Sequence, residues 1–243
     1  MIRSTVLGVC CVLSISVASA HAQSLDAVQQ AIAQPVSSDN SINVVPFEVD
    51  PNNVNLSKAT WLSGTGCAAT GGTDPGCATG GDPKDKKNEG LLLAKTGATA
   101  NFVAAGARIN GVKGTVLAQL GYDLRKPLDT ADPRGSHCGA GAPRFNVIIA
   151  GVTYFVGCNS PTPLQSPLGT GWIRLTWGTP GTPGVLMAFG PLGAVNISGT
   201  TVDAIQIIFD EGQDTGPDNF GMAVLDNIRI NNQLAGRGPG SGS

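Results

Sequence analysis

Histidine is nearly absent from this chain, and the shortage closes off much chemistry. Only His21 and His137 occur in 243 residues. A Ser-His-Asp hydrolase needs a base beside its nucleophile, and no G-x-S-x-G elbow is present. His137 sits beside Cys138 in a glycine-rich stretch and reads as a loop residue. Charge is sparse as well: Asp, Glu, Lys and Arg make up 13% of the chain, with a formal net charge of −2. There is no basic patch to hold nucleic acid. Lys84, Lys86 and Lys87 alternate with Asp82, Asp85 and Glu89, which is the pattern of a solvated loop. Past the N-terminus, no apolar run approaches the roughly 18 residues of a transmembrane helix. The expectation is a monomer with no nucleic-acid partner and no transmembrane segment.

The longest apolar run covers residues 6–17. It follows Arg3 and precedes Ala18-Ser19-Ala20 and Ala20-His21-Ala22. A positive start, a short apolar stretch and small-x-small sites mark a secretory signal peptide over residues 1–22, cut after Ala22. Cys10 and Cys11 lie too early to be lipid-attachment sites. Secretion, to the periplasm or beyond, is therefore expected. It leaves about 220 residues, enough for one sizeable β domain. Four cysteines then remain: Cys67, Cys77, Cys138 and Cys158. An even number in an exported chain reads as two disulfides, with the local pairs Cys67–Cys77 and Cys138–Cys158 favoured. Zinc is the poorer alternative, because no C-x-x-C spacing exists and His137 stands alone.

Glycine is plentiful, at 34 residues, about twice its usual share. Many turns and short strands follow from that. Residues 23–34 have one apolar face (Leu25, Val28, Ile32), a cap in Ser24 and a stop at Pro35, which predicts a short helix. Residues 37–43 read as linker, so 23–50 form an N-terminal helix/linker ahead of a sandwich over 51–232. Strands are expected at 59–62, 91–95 and 99–103, with a long glycine-rich loop over 63–90. Residues 116–125 alternate cleanly, with only Leu117 out of pattern, and predict one half-buried strand. Residues 145–156 read as a hairpin turning at Ala150-Gly151. That turn sets Phe145 against Val156, Val147 against Tyr154 and Ile149 against Val152. It also brings Cys158 opposite the approach from Cys138. In 171–177, Ile173, Leu175 and Trp177 share one face; Trp172 and Arg174 share the other. Ile205, Ile207 and Phe209 form one face of a further strand. Residues 233–243 are expected to be a disordered tail. The fold class is thus all-β: a single antiparallel, jelly-roll-like β-sandwich.

Candidate sites are few. Trp172 with Arg174 on the more polar face of its strand makes a candidate ligand-binding pair. Tyr122 shares the apolar face of its strand, which favours packing. Asp210, Glu211, Asp214, Asp218 and Asp226 crowd a short acidic span. Oxygen ligands on a loop suit Ca²⁺, so Asp210, Asp214, Asp218 and Asp226 are the candidate metal ligands, against the plainer reading of an exposed acidic turn. Asp226 is the sharper case. In a regular strand it would share the face of Val224, Ile228 and Ile230 and point into the core. A buried carboxylate there needs a bulge that turns it out, backbone N–H groups to cap, or a cation. No two carboxylates can be placed as a glycosidase pair. Asp210 and Glu211 are adjacent, so their side chains diverge.

The strings HCGAGAPRFNV, YFVGC, W-x-R-L-x-W, IIFDEG-x-DTGP and VLDNIRI resemble a set of small exported bacterial β-sandwich proteins whose function is not established. The resemblance spans residues 91–230. The ending G-x-A-V-L-D-N-I-x-I is similar to the last strand of jelly-roll carbohydrate-binding modules. In such modules a late Asp holds a structural calcium, which implies that role for Asp226. Together these readings point to a secreted, non-catalytic domain that binds a carbohydrate or cell-surface component. The alternatives are an exported structural or envelope protein and, more remotely, a polysaccharide-active enzyme. N-terminal sequencing of the exported protein should start at Gln23; a chain that retains Met1 would overturn the signal-peptide reading.

Overall fold

Alternating apolar and polar side chains drive most of this chain into strands. The computed structural model describes residues 42–67, 81–96, 103–126, 138, 142–169, 171–178, 185–210 and 220–240. In chain order the strands are β1 (Asn43–Val49), β2 (Ser57–Ser63), β3 (Glu89–Thr96), β4 (Ala104–Asn110), β5 (Leu120–Arg125), β6 (Arg144–Ile149) and β7 (Val152–Val156). Then follow β8 (Leu164–Gly169), β9 (Trp172–Trp177), β10 (Met187–Gly190), β11 (Gly193–Asn196), β12 (Ala204–Phe209), β13 (Phe220–Ile230) and β14 (Gln233–Ala235). They form two antiparallel sheets. One, the open sheet, runs β1-β4-β12-β6-β7-β10-β11. The other, the covered sheet, runs β2-β3-β13-β5-β9-β8, with β14 alongside β13. Neighbours distant in sequence give the jelly-roll kind of sandwich, so the all-β expectation holds.

The inward faces close one continuous core. Leu91, Leu93, Tyr122, Leu124, Leu175, Ile228 and Ile230 come from the covered sheet; Ala105, Ala107, Phe145, Val147, Ile205, Ile207 and Phe209 come from the open sheet. Tyr122, Phe145 and Trp177 form an aromatic knot with ring centroids 5.3, 5.4 and 5.9 Å apart. The polar ends of these rings are satisfied. The Tyr122 hydroxyl donates to the Pro143 carbonyl at 2.7 Å, and Trp177 Nε1 donates to the Pro161 carbonyl at 2.8 Å. Burial pushes the Tyr122 hydroxyl well above its ordinary pKa.

The 145–156 hairpin has the register that its turn chemistry dictates. Phe145 pairs with Val156, Val147 with Tyr154 and Ile149 with Val152. Ala150 and Gly151 take φ of +50° and +76°, as a tight two-residue turn requires. Cys138 is bonded to Cys158, as the pairing argument expects. Cys67 is also disulfide-bonded; Cys77 lies outside the described residues.

Several boundaries move. Residues 116–125 are not one strand, because the Asn231 side chain intercepts the backbone. Its Oδ1 accepts from Ala118 N at 2.7 Å and Gln119 N at 3.0 Å, and its Nδ2 donates to Val116 O at 2.8 Å. Ladder pairing therefore starts only at Leu120, and Val116 makes an isolated bridge to Thr201. The sandwich also exceeds 51–232 at both ends. β1 pairs along β4, and Trp61 Nε1 donates to Val44 O at 3.0 Å. The expected disordered tail is docked through residue 240: β14 pairs with β13, and Gly238 lies against the Trp61 ring. The expected helix over 23–34 and most of the expected 99–103 strand lie outside the described residues.

The Cys138–Cys158 bond closes a span of 20 residues. Replacing both cysteines by Ala should lower unfolding stability by about 3 kcal/mol in urea. An unchanged midpoint would mean the bond does not constrain the unfolded chain.

Candidate binding face

β-strand alternation leaves each sheet an outer face, and the two outer faces differ in kind. On the open sheet the alternate residues are exposed or half-buried. One row crosses five strands in register: Arg108 on β4, Gln206 on β12, Asn146 on β6, Phe155 on β7 and Phe189 on β10. Phe155 and Phe189 are 40% and 39% exposed, high for phenylalanine on a sheet. At strand spacing of about 4.8 Å, the distance from Arg108 to Phe155 is roughly 14 Å. The next row holds Phe47, Gly106, Ile208 and Arg144. Gly106 is needed there, since a Cβ would stand 2.7 Å from the Phe47 ring. Phe47 thus lies flat on the strand, with the Arg108 guanidinium 4.6 Å above its ring.

The two arginines of this face are held differently. Arg144 donates both terminal nitrogens to Asp210, at 2.7 and 2.6 Å. Burial alone would raise the Asp210 carboxyl, but the Arg144 hydrogen bonds and charge outweigh it and hold the group below its ordinary value. Arg108 has the Phe47 ring as its neighbour, and no described carboxylate pairs with it. On β6, two residues from Arg144, Asn146 Oδ1 is buried and accepts no hydrogen bond. The face can therefore offer a flat apolar ring, amide groups and a guanidinium to one extended ligand.

The outer face of the covered sheet is closed around Asp123, Arg174 and Asp226, while Leu62, Arg125 and Leu164 toward its margins stay exposed. Residues 64–67, 81–89 and 235–239 lie over it and are tied down by buried acids. The key feature is a bulge in β13. Asp226 pairs with Asp123, but the next pair is Arg229 with Gly121. Asn227 takes φ of +48°, which Asn tolerates better than most residues. The bulge reverses parity within the strand, so Asp226 falls with Val224 on the outer face while Ile228 and Ile230 return to the core. Of the expected ways to satisfy Asp226, two operate together: it is turned out, and it caps backbone. Its oxygens accept from Cys67 N at 2.6 Å and Asn227 N at 2.5 Å.

Around it the network is dense. Asn227 Nδ2 donates to Asp123 at 2.8 Å, and Asn227 Oδ1 accepts from Asp82 N at 2.9 Å. Arg174 forks onto fully buried Asp123 at 2.6 and 2.8 Å. Asp82 accepts from Gly236 N, Asp85 from Glu89 N, and Glu89 from Gly238 N. Burial pushes the Asp226 carboxyl well above its ordinary value; its backbone bonds counter this, while Asp123 and Asp85 add to the rise. Asp85 is also raised, first by burial.

Two expectations are corrected by this geometry. Trp172 is no ligand platform: it is 4% exposed and packs with Cys67 and Leu168 under the cover. Its strand parity is as expected, but an overlying loop makes that face an interior. Arg174 is spent on Asp123 in the same layer. The proposed calcium set also separates. Asp210 lies on the outer side of the open sheet and Asp226 on the outer side of the covered sheet, so one ion cannot bridge them. Both Asp226 oxygens already accept N–H groups, and Asp210 is held by Arg144. Among the described residues no group of three or more acids, histidines or cysteines could hold a metal. Asp214 and Asp218 lie outside the described residues.

The open-face row is spread over five strands, most of them distant in sequence, so no local pattern brings its residues together. The signal was present: Phe155 is an aromatic on the polar parity of 145–156.

No protein-family model matches the chain, and no curated protein matches it. Among solved structures, similarity is found to the family 11 carbohydrate-binding module from Clostridium thermocellum in complex with a beta-1,3-1,4-mixed-linked tetrasaccharide. The identity is 13%, over 81% of this chain and 90% of that one, with a TM-score of 0.36. A second structure, the family 11 module of a cellulosomal cellulase of the same organism, is 12% identical over 82% of this chain and 91% of that one, with a TM-score of 0.35. Likeness at this level leaves function to be argued from this chain's own residues.

The network carries a stability prediction with a definite sign. Asp226 keeps its proton to higher pH in the folded state than in the unfolded chain, where the ordinary value is 3.8. The folded state therefore binds more protons over the window above 3.8. The contribution is complete below that window and is lost as pH rises through the folded value. Asp226→Asn should flatten this part of the pH profile in urea unfolding. Asp226→Ala, which strands two buried N–H groups, should cost about 2–4 kcal/mol.

Proposed function

We propose that the outer face of the open sheet binds an extended polysaccharide, without catalysis, and that the protein does so after export. The row Arg108, Gln206, Asn146, Phe155 and Phe189 carries this reading. A sugar ring offers a flat C–H face and a rim of hydroxyls. Exposed phenylalanine rings suit the first and the amides suit the second. A row across five strands suits a chain of sugars better than a single one. Rigid strands hold the row, so little ordering entropy is lost on binding. The carboxylate beside it, Asp210, is fixed by a two-pronged bond to Arg144.

One observation favours a second reading, an exported structural protein. The β10–β11 hairpin exposes Leu192 fully and Val195 by 40%, as a contact surface for another macromolecule would.

Affinity electrophoresis through gels containing β-glucan, xylan, polygalacturonate or alginate separates the two. At least one polymer should retard the protein. Phe155→Ala and Phe189→Ala should each weaken retardation about tenfold, which corresponds to about 1.4 kcal/mol. Retardation by none of these polymers would end the polysaccharide reading.

A further inference from the structure

The carbohydrate reading leaves the ligand's charge open, and the two arginines of the face bear on it. Arg144 is neutralised by a two-pronged bond to Asp210. Arg108 is not paired with any described carboxylate. It is exposed, and it is stacked 4.6 Å above the Phe47 ring. Gly106 makes room for that ring, as any side chain at Gly106 would collide with it. A guanidinium lying on an aromatic ring is held by its flat face. Its N–H edge stays free, and that edge matches the two oxygens of an anionic group.

Charge balance sharpens the point. The whole chain carries a formal charge of −2, so it does not attract anions in general. A guanidinium over an aromatic ring, with no described carboxylate partner, at one end of a neutral amide row is a local exception. It lies in register with Gln206 and Asn146, so an anionic substituent on a sugar chain that crosses the row would meet it.

Resting on the polysaccharide reading, we propose that this face takes an anionic polysaccharide, with Arg108 binding the acidic group. Carboxylate and sulfate share that chemistry. Gln206, Asn146, Phe155 and Phe189 then hold the neighbouring sugar units.

The test compares four polymers in affinity gels: polygalacturonate and alginate as uronates, dextran sulfate as the sulfate ester, and β-glucan as the neutral control. Wild-type protein should be retarded by at least one acidic polymer and much less by β-glucan. Which polymer retards it assigns carboxylate or sulfate as the group. Arg108→Gln should weaken that binding tenfold or more. Arg108→Lys should recover only part of it, since lysine keeps the charge but not the fork. Lys113→Gln removes one exposed charge elsewhere and should change nothing. Circular dichroism of each variant separates lost binding from lost fold. Equal binding to β-glucan with no effect of Arg108→Gln would overturn this inference and leave the polysaccharide reading standing. Acidic binding that Lys113→Gln weakens as much as Arg108→Gln would also overturn it. Binding to no polymer would remove both.

Discussion

Everything on the covered side of the molecule depends on one backbone irregularity, the bulge at Asn227 in the central strand β13. A strand has period two. Without the bulge, Asp226 would be aimed at the same core as Ile228 and Ile230. With it, the strand serves two interiors in succession. Val224 and Asp226 face a layer of loops, and Ile228 and Ile230 face the opposite sheet. The left-handed φ of +48° at Asn227 is the local requirement, and the Asn side chain then joins three elements by donating to Asp123 and accepting from Asp82 N.

The consequence is a sandwich with a third layer. That layer is made of irregular backbone, which cannot satisfy its own N–H groups as a sheet does. Carboxylates do so instead. Asp226 holds the Cys67 segment, Asp82 and Glu89 hold the C-terminal residues, and Asp85 folds its own loop. Asp226, a candidate metal ligand by sequence, and Asp82, Asp85 and Glu89, which look like solvated loop charges, are internal acceptors. They come at an electrostatic cost, seen in the raised carboxyls of Asp226 and Asp85; Asp123 has a two-pronged arginine partner in Arg174.

Much of one outer face is spent on architecture, and the proposed binding face is the other. The open sheet carries no such cover among the described residues. Its alternate side chains are mixed in character: rings at the margins, amides between them and, in Arg108, a guanidinium that no described carboxylate pairs with. The bond between Arg144 and Asp210 matters here, since it removes one positive and one negative charge from the row. On the proposed reading, recognition then falls to Arg108 and the uncharged residues.

Period-two alternation in 145–156, with Ala150-Gly151 as the only two-residue turn available, was enough to set a hairpin register, because a slip of one would have buried Arg144 and Asn146. The Cys138–Cys158 bond followed from that register. β4 is hard to read from sequence because two of its three inward residues, Ala105 and Ala107, are alanines, which carry little strand signal. β1 is held by β4, more than 50 residues along the chain, and β14 is a three-residue strand that closes a hairpin on β13. Asp226 was marked as a residue in need of an explanation, yet local pattern could not say which explanation held. Strand parity correctly put Trp172 and Arg174 on the face opposite Ile173 and Leu175. Whether that face was wet or dry depended on a loop more than 80 residues away. Local periodicity determines which side chains share a face. Only tertiary packing decides what, if anything, lies over that face, because coverage is a contact between segments that the intervening sequence does not record.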